Sequence, residues 1–315
     1  MPSSAVRTFT DPDDYAAAHR GAKSELTVIG RGHFTGKLTR IGLHRLGMQR
    51  SFDNLPRTAH VVNWNGLALI SFRTDTGPSL LSSGVEMQPT NILRHGEDQV
   101  YYQRSSGSAS FGGMTLAVED MAAVGEAMAG IDLTPPRDTM LVTPHPGAMA
   151  RLQRLHATAG HLAEEAPEII VNPDAARGLE QALIEAMISC LVDGEVREDR
   201  VAQRHHEIVM RRFHRVVEEN PEQPLYIPEI CKAIRVSSRT LRVCCQEHLG
   251  MGPKHYLLRR RMYLARRALR EAATDATSVT DVATRYGFWQ LGRFAVEYQS
   301  LFGESPSATL RRQSE

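Results

Sequence analysis

The sequence predicts an α+β chain of more than one domain, with an antiparallel β-sandwich or barrel ahead of an all-helical domain that contains two helix-turn-helix units. Three observations predict this. Short runs bounded by Gly, Pro, Asn and Asp fill the first part, the apolar period becomes helical from Ala148, and one pattern occurs twice towards the C-terminal end. At 315 residues the chain is long enough for about two domains. With 42% hydrophobic and 23% charged residues it has the composition of an ordinary globular protein.

The first region, to about residue 145, contains the runs ELTVIGR, KLTRIGLHRLGMQ, TAHVVNW, GLALISFR, QVYYQ and ASFGGMTLAV. Short apolar or alternating runs at this spacing favour antiparallel strands in a sandwich or barrel. The prolines of LTPPRDTMLVTPHPG end the pattern. Residues 146–200 then carry two amphipathic helices. One places Met149, Leu152, Leu155, Ala159 and Leu162 on a single face, and the other does so with Leu179, Leu183, Ile184, Met187, Ile188 and Leu191. Such a pair either covers the sheet or pairs across a dimer.

Residues 201–315 read as helices throughout, opening with Val209, Phe213, Val216 and Val217 on one side of a helix that Asn220-Pro221 stops. After that the chain repeats itself. Ile227, Ile230 and Cys231 match Val279, Val282 and Ala283 at an offset of 52, and Leu241, Cys245, Gly250 and Pro253 match Phe294, Tyr298, Gly303 and Pro306 at 53. The extra residue falls in the turn. Each copy reads as a short helix, a tight turn and a second helix that ends at a Gly suited to a left-handed C-cap, with Pro placed to open the next helix.

The apolar stripe of each second helix predicts its free side. Leu241, Cys244, Cys245, His248 and Leu249 go inward in the first copy, capped by Ser237 or Ser238, which leaves Arg239, Thr240, Arg242, Val243 and Gln246 outside. In the second copy Leu291, Phe294, Ala295, Tyr298, Leu301 and Phe302 go inward, leaving Gln290, Gly292, Arg293, Val296 and Glu297. The five aromatics between Phe288 and Phe302 are thereby mostly core, with Phe288 beneath the turn and Trp289 either capping the core or touching a DNA backbone. The twenty-residue segment from Pro253 to Ala272 spans roughly 30 Å as a helix at about 1.5 Å per residue.

A net charge of +1 hides an asymmetry: from Asp199 onward there are 20 Lys and Arg against 13 Asp and Glu, net +7, while the preceding part has 17 against 23, net −6. A basic helical domain with arginines in the first turn of an outward helix suits DNA, where successive major grooves recur at about 34–36 Å and bidentate arginine on guanine gives about 1–3 kcal/mol of discrimination. The bland account of the same arginines is a solvated face. Arginines 259, 260, 261, 266, 267 and 270 surround the connecting helix, so some pair internally and others reach phosphate.

These residues resemble the AraC/XylS family of bacterial transcription regulators. The segment SSRTLRVCCQEHLGMGPKHYLLRRRMYLARRAL, followed downstream by VATRYGFWQLGRFAVEYQSLFGESP, is similar to the family pattern over about Glu207 to Arg312. The resemblance implies a bipartite DNA-binding domain of about seven helices whose recognition helices enter successive major grooves. It departs from the pattern at Arg235, where the family often has Gly, at Val243 and Val296, often polar or basic, and at Cys245, usually aromatic. The first 145 residues resemble, more weakly, the cupin-like effector domains of such regulators, notably in KLTRIGLHRLGMQRSFDNLPRTAHV.

The resulting expectations are a cupin-like barrel domain at 1–145, a helical linker and dimerisation element at 146–200, and a double helix-turn-helix domain at 201–315. DNA contacts are expected from Ser238, Arg239, Thr240, Arg242, Val243, Gln290, Gly292 and Arg293. An unidentified small-molecule effector is expected at Arg40, Arg45, Trp64 and Phe72, for which core packing and solvated arginines are the alternative. The whole reads as an effector-responsive activator of a catabolic or stress operon, a homodimer working on double-stranded promoter DNA and, as an activator, with RNA polymerase. The alternative is a constitutive DNA-binding protein or repressor whose barrel serves only dimerisation.

No enzyme, metal or cofactor is expected. Metal-dependent cupins need clustered histidines, and here His33, His44, His60 and His95 are isolated in sequence. A DNA alkyl acceptor needs an activated thiolate, whereas Cys190, Cys231, Cys244 and Cys245 lack CxxC spacing and read as buried thiols. No apolar run approaches the roughly 20 residues that span a bilayer, and the first residues lack a signal-peptide pattern, so a cytoplasmic location is expected.

Overall fold

The computed structural model describes residues 1–96, 100–192, 194–197, 201–220, 223–272 and 277–311; Gln99, Pro221 and Arg312 of the sequence reading lie outside the described residues. The chain divides into two compact units, one of residues 1–28 and 34–200, the other of 201–315 with 29–33. No helix among the described residues is long and apolar enough to cross a membrane.

The first unit runs in order β1 (Ser3–Phe9), α1 (Pro12–Ala17), β2 (Ala22–Val28), β3 (Gly36–Gly42), β4 (Gly47–Asp53), β5 (Arg57–Asn63), β6 (Leu67–Arg73), β7 (Leu80–Ser82), β8 (Val85–Glu86), β9 (Ile92–Arg94), β10 (Val100–Ser105), β11 (Ala109–Ala117), α2 (Val118–Ala129), β12 (Met140–Thr143), α3 (Pro146–Glu165), α4 (Pro167–Val171), α5 (Pro173–Val192) and β13 (Glu195–Arg197). These strands form two sheets, ordered β1-β3-β4-β11-β6-β9-β12-β13 and β2-β5-β10-β7-β8, and every pairing is antiparallel.

No ladder joins one sheet to the other among the described residues, so the expected barrel is an open pair of sheets. The physical reason lies in the second face of the larger sheet. It packs against α2, α3 and α5, burying Met48, Ile70, Phe72, Met114, Leu152, Leu183 and Met187 in one cluster. A sheet that must seat helices on its outer face forms a layer in the stack. β6 shows the consequence in sequence, because Ala68, Ile70 and Phe72 meet the helices while Leu69 and Ser71 face the other way. The strand is accordingly apolar throughout. The two amphipathic helices of residues 146–200 thus cover the sheet, with Leu155, Leu162 and Leu179 only partly buried.

β5 and β4 hold a buried ion pair, Arg57 Nε to Asp53 Oδ2 at 3.1 Å, with side chains 1% and 0% exposed. Arg57 Nη1 also donates to Gln103 Oε1 at 3.4 Å, and its guanidinium lies 5.6 Å from the Phe111 ring centroid. Burial raises the Asp53 carboxyl above its ordinary value while the arginine opposes that rise.

The second unit is α6 (Val201–Glu219), α7 (Ile227–Ile234), α8 (Ser238–Leu249), α9 (Pro253–Glu271), α10 (Val279–Arg285), α11 (Leu291–Phe302) and α12 (Pro306–Arg311), seven helices among the described residues. The predicted punctuation is visible in the backbone. Gly250 at φ +71° and Gly303 at φ +75° terminate α8 and α11 in the left-handed region, and Pro253 and Pro306 open α9 and α12. Ser237 rather than Ser238 caps α8, accepting from the Thr240 amide at 3.0 Å. Ser278 and Asp281 form a capping box on α10.

Arg235, standing at the α7 C-cap where glycine is the easier residue, takes φ +58° and ψ +48°. Its Cβ opposes the neighbouring carbonyl there. Arg235→Gly is expected to raise the stability of the helical unit by about 1 kcal/mol in urea denaturation, with no change in helix content.

His156 of α3 is 0% exposed, donates from Nε2 to the Gln49 carbonyl at 3.0 Å, and meets the Phe72 ring edge-on at 5.0 Å. Burial lowers its pKa to about 4, as it lowers His19 to about 4 and His95 to about 3. Each stays neutral in the folded unit while its unfolded counterpart takes a proton near pH 6.5, so their contribution is full above pH 6.5 and is lost as pH falls towards 4. His156→Gln, which keeps a donor, should flatten the fall in urea midpoint between pH 6.5 and 4.5, one of the imidazoles that burial holds neutral in this unit having been removed.

Candidate nucleic-acid interface

α7 with α8, and α10 with α11, are two helix pairs of one design. In α8 the inward stripe is Leu241, Cys244, Cys245, His248 and Leu249, all buried, and it meets Ile230, Cys231 and Ile234 of α7 and Val209, Met210 and Phe213 of α6 as the buried residues of this half. Arg239, Arg242, Val243 and Gln246 are exposed, and Thr240 is half-buried. Ser238 is exposed too, its hydroxyl 3.7 Å from the Cys231 thiol. The first turn of α8 therefore offers two guanidinium groups and a hydroxyl on one side. No acidic residue lies in that turn.

In α11 Phe294 and Tyr298 are buried with Phe288, Val282, Ala283 and Met262, and Leu301 and Phe302 pack partly buried against them. Phe288 lies 4.8 Å from Phe294 between centroids, and the Tyr298 hydroxyl meets the Thr309 hydroxyl at 2.8 Å. Leu291 does not join this core: it is 39% exposed. It is the first residue of α11, one turn ahead of Phe294, at the exposed end of the stripe. The outward group is Gln290, Leu291, Gly292, Arg293 and Val296, all exposed. Arg293 Nε holds Glu297 Oε1 at 2.7 Å, so the cation of this face is already paired within its helix. Trp289 is 82% exposed beside the turn, which removes it from the core.

The arginines of α9 divide by task. Arg260 and Arg266 are buried, and Arg266 sits over the Phe302 ring at 5.1 Å with Glu304 at 3.7 Å. Arg261 covers the Phe288 ring at 5.2 Å and donates to the Tyr286 carbonyl at 3.4 Å, while Arg259 Nε donates to His255 Nε2 at 3.2 Å. Much of the basic character of α9 thus serves the packing of the helical unit itself.

All four cysteines are buried and unpaired with one another. Burial pushes the Cys190 thiol up to about 12 and Cys244 up to about 11, with Glu247 adding to the latter, and it raises Cys245 further. None of these three is poised as a thiolate at neutral pH.

In the first unit a cavity of about 60 Å³ lies between the sheets, lined in part by Tyr15, His19, Arg57, Tyr101, Gln103 and Phe111. The Tyr15 hydroxyl is buried beside Ser51, Asp53 and Arg57, and burial raises its pKa. His19 donates from Nδ1 to the Tyr15 carbonyl at 2.9 Å and accepts at Nε2 from the Ser51 hydroxyl at 3.0 Å.

None of Arg40, Arg45, Trp64 and Phe72 lines this cavity. Phe72 points to the helix-covered face, Arg40 donates to the Ala18 carbonyl at 3.2 Å, Arg45 pairs with Asp120 and Glu180, and Trp64 is 40% exposed in the turn after β5. The missed residues share a sequence signal: 57, 59 and 61 in β5, 69 and 71 in β6, 101 and 103 in β10, and 111 and 113 in β11 all line the cavity at a period of two.

Residues 230–312 match the family model of a helix-turn-helix domain. The chain is 39% identical over 103 residues to the XylDLEGF operon transcriptional activator 3 of Pseudomonas putida, covering 32% of this chain and 31% of that protein. It is 41% identical over 95 residues to the probable thc operon regulatory protein of Rhodococcus erythropolis, covering 30% and 29% respectively. A crystal structure of a probable AraC family transcriptional regulator from Rhodopseudomonas palustris CGA009 is 35% identical, covering 33% of this chain and 95% of that one with a TM-score of 0.31. The chain thus spans only about a third of the length of the first curated relatives it matches.

Proposed function

We propose, for a chain that belongs to the AraC/XylS family of transcriptional regulators through its C-terminal domain, that residues 201–315 grip double-stranded promoter DNA with α8 and α11 in successive major grooves. The observation that carries this reading is the matched outward face of the two helices, exposed in both and cationic in the first. Arg239, Thr240, Arg242 and Val243 read bases from α8, with Ser238 at its start positioning the backbone. Gln290, Gly292 and Arg293 act from α11, which reads less sequence because its one arginine is shared with Glu297. The exposed Trp289 lies against the sugar-phosphate backbone beside the second turn.

The relatives' descriptions as an operon activator and an operon regulatory protein support transcriptional activation. On this reading RNA polymerase is a further partner and the cytoplasm the place of work. Dimerisation through residues 1–200 completes the proposal.

A small-molecule response, rather than constitutive binding, rests on the cavity between the sheets, small at about 60 Å³, where the Tyr15 hydroxyl, the Arg57 guanidinium and Gln103 lie beside the apolar wall of Ala59, Val61, Leu69 and Phe111. The effector site accordingly moves from Arg40, Arg45, Trp64 and Phe72 to these residues. A ligand that binds there changes DNA affinity only through unequal affinity for two arrangements of the protein.

Arg239→Ala and Arg242→Ala are each expected to lose about 1–3 kcal/mol of discrimination between a preferred duplex and the same duplex altered at one guanine, measured by titration at fixed salt. Equal weakening on every duplex, with a shallower salt dependence, would reduce the two to phosphate contacts. For the cavity, a thermal-shift screen of small metabolites should yield a compound that adds about 2.7 kcal/mol at 100 times its dissociation constant. Phe111→Trp, which fills the space, should abolish that shift; a hit that survives the substitution binds elsewhere.

A further inference from the structure

Among the outward positions of the two helices, one residue recurs that polar recognition does not explain. Val243 is the sixth residue of α8 and Val296 the sixth of α11, and they are 48% and 69% exposed. Their neighbours have diverged: Arg239 stands opposite Gly292 in the alignment, Thr240 opposite Arg293, and Arg242 opposite Ala295. Gln246 and Gln299 also recur, but Gln246 is tied to the Gly250 carbonyl at 3.1 Å as part of the helix end. A valine on an exposed helix face is a poor helix former and leaves methyl groups in water, so local stability does not call for it.

Each valine lies one turn beyond the first-turn groups that face the same way. Val243 follows Thr240 and Arg239 by three and four residues, and Val296 follows Arg293 and Gly292 by the same steps. Around Gly292 a Cβ would meet nothing within 4 Å, so the absence of a side chain there lets the α11 backbone approach a partner closely, one turn before Val296. Of the four bases only thymine presents a methyl group in the major groove. A branched apolar side chain flanked by groove-facing cations therefore has one apolar partner on the base edges.

We propose, resting on the DNA-binding reading above, that Val243 and Val296 each pack on the 5-methyl group of a thymine, and that the two thymines lie about one helical turn, 10–10.5 base pairs, apart. The 19 residues of α9, about 28 Å of helix, connect the two pairs over that span. The two valines then supply apolar specificity on both half-sites, including the second, where the arginine is shared.

The test uses the full chain and a duplex selected by it from a random library at fixed salt. Each thymine is replaced in turn by uracil, which removes the methyl and keeps the base pair. Two positions about 10 base pairs apart should weaken binding roughly fourfold each, and the others little. Val243→Ala should erase the uracil effect at one position and Val296→Ala at the other, both variants keeping wild-type circular dichroism because alanine suits an exposed helix site. Arg242→Ala should weaken binding and leave both uracil effects in place. If Arg242→Ala weakens binding but no uracil matters, or the uracil effects persist in the alanine variants, the valine assignment is overturned and DNA binding stands. If no duplex is enriched from the library, DNA binding fails and the valine assignment with it.

Discussion

A helix of twelve residues packed along one side has no freedom over what it leaves outside, and this constraint governs the C-terminal unit. The buried stripes Leu241–Cys244–Cys245–His248–Leu249 in α8 and Phe294–Tyr298 with Leu301 and Phe302 in α11 set the rotation of each helix about its axis. Once that rotation is set, Arg239, Arg242 and Val243 on one helix and Gly292, Arg293 and Val296 on the other face away from the core together. The glycine ends at Gly250 and Gly303 and the prolines that follow fix where each helix stops and the next begins. Position along the axis is determined as firmly as rotation.

The N-terminal unit is governed by the period of two. Each of β5, β6, β10 and β11 sends alternate residues into the space between the sheets, while the even-numbered side chains of β6 build the helix-covered core. Two sheets that met with only aliphatic side chains would close that space. Here Arg57, itself paired with Asp53, lines it together with His19, Gln103 and Tyr15. Burying an ion pair there costs desolvation that the pair's own attraction and hydrogen bonds must offset.

The two units differ in how much could be read in advance. The helix pairs were legible because the caps, the stripe and the offset of 52–53 residues all act within stretches of about a dozen residues. That reading slipped at Leu291, which stands at the first position of α11 and is exposed. In the β unit the runs marked most of the longer strands and missed β7–β9, β12 and β13, because pieces of two to four residues carry too little pattern, and they missed β1, whose seven residues SSAVRTF are mostly polar. Which strand faced which sheet was not legible at all, and so Phe72 was assigned to the wrong side and Arg57, Tyr101 and Phe111 went unnoticed.

By itself the sequence determined the helices α6–α12, most of their inward and outward faces, the basic charge of that region and its likeness to the AraC/XylS regulators. Helix periodicity, capping and charge are local properties, settled by neighbours three and four residues away. Only the tertiary structure decided that the sheets stay open under a layer of helices, that six arginines of α9 are drawn to varying depth into packing, and that a polar cavity lies between the sheets. Those features depend on contacts between strands and helices tens of residues apart, and chain-local pattern carries no information about which partner a face will meet.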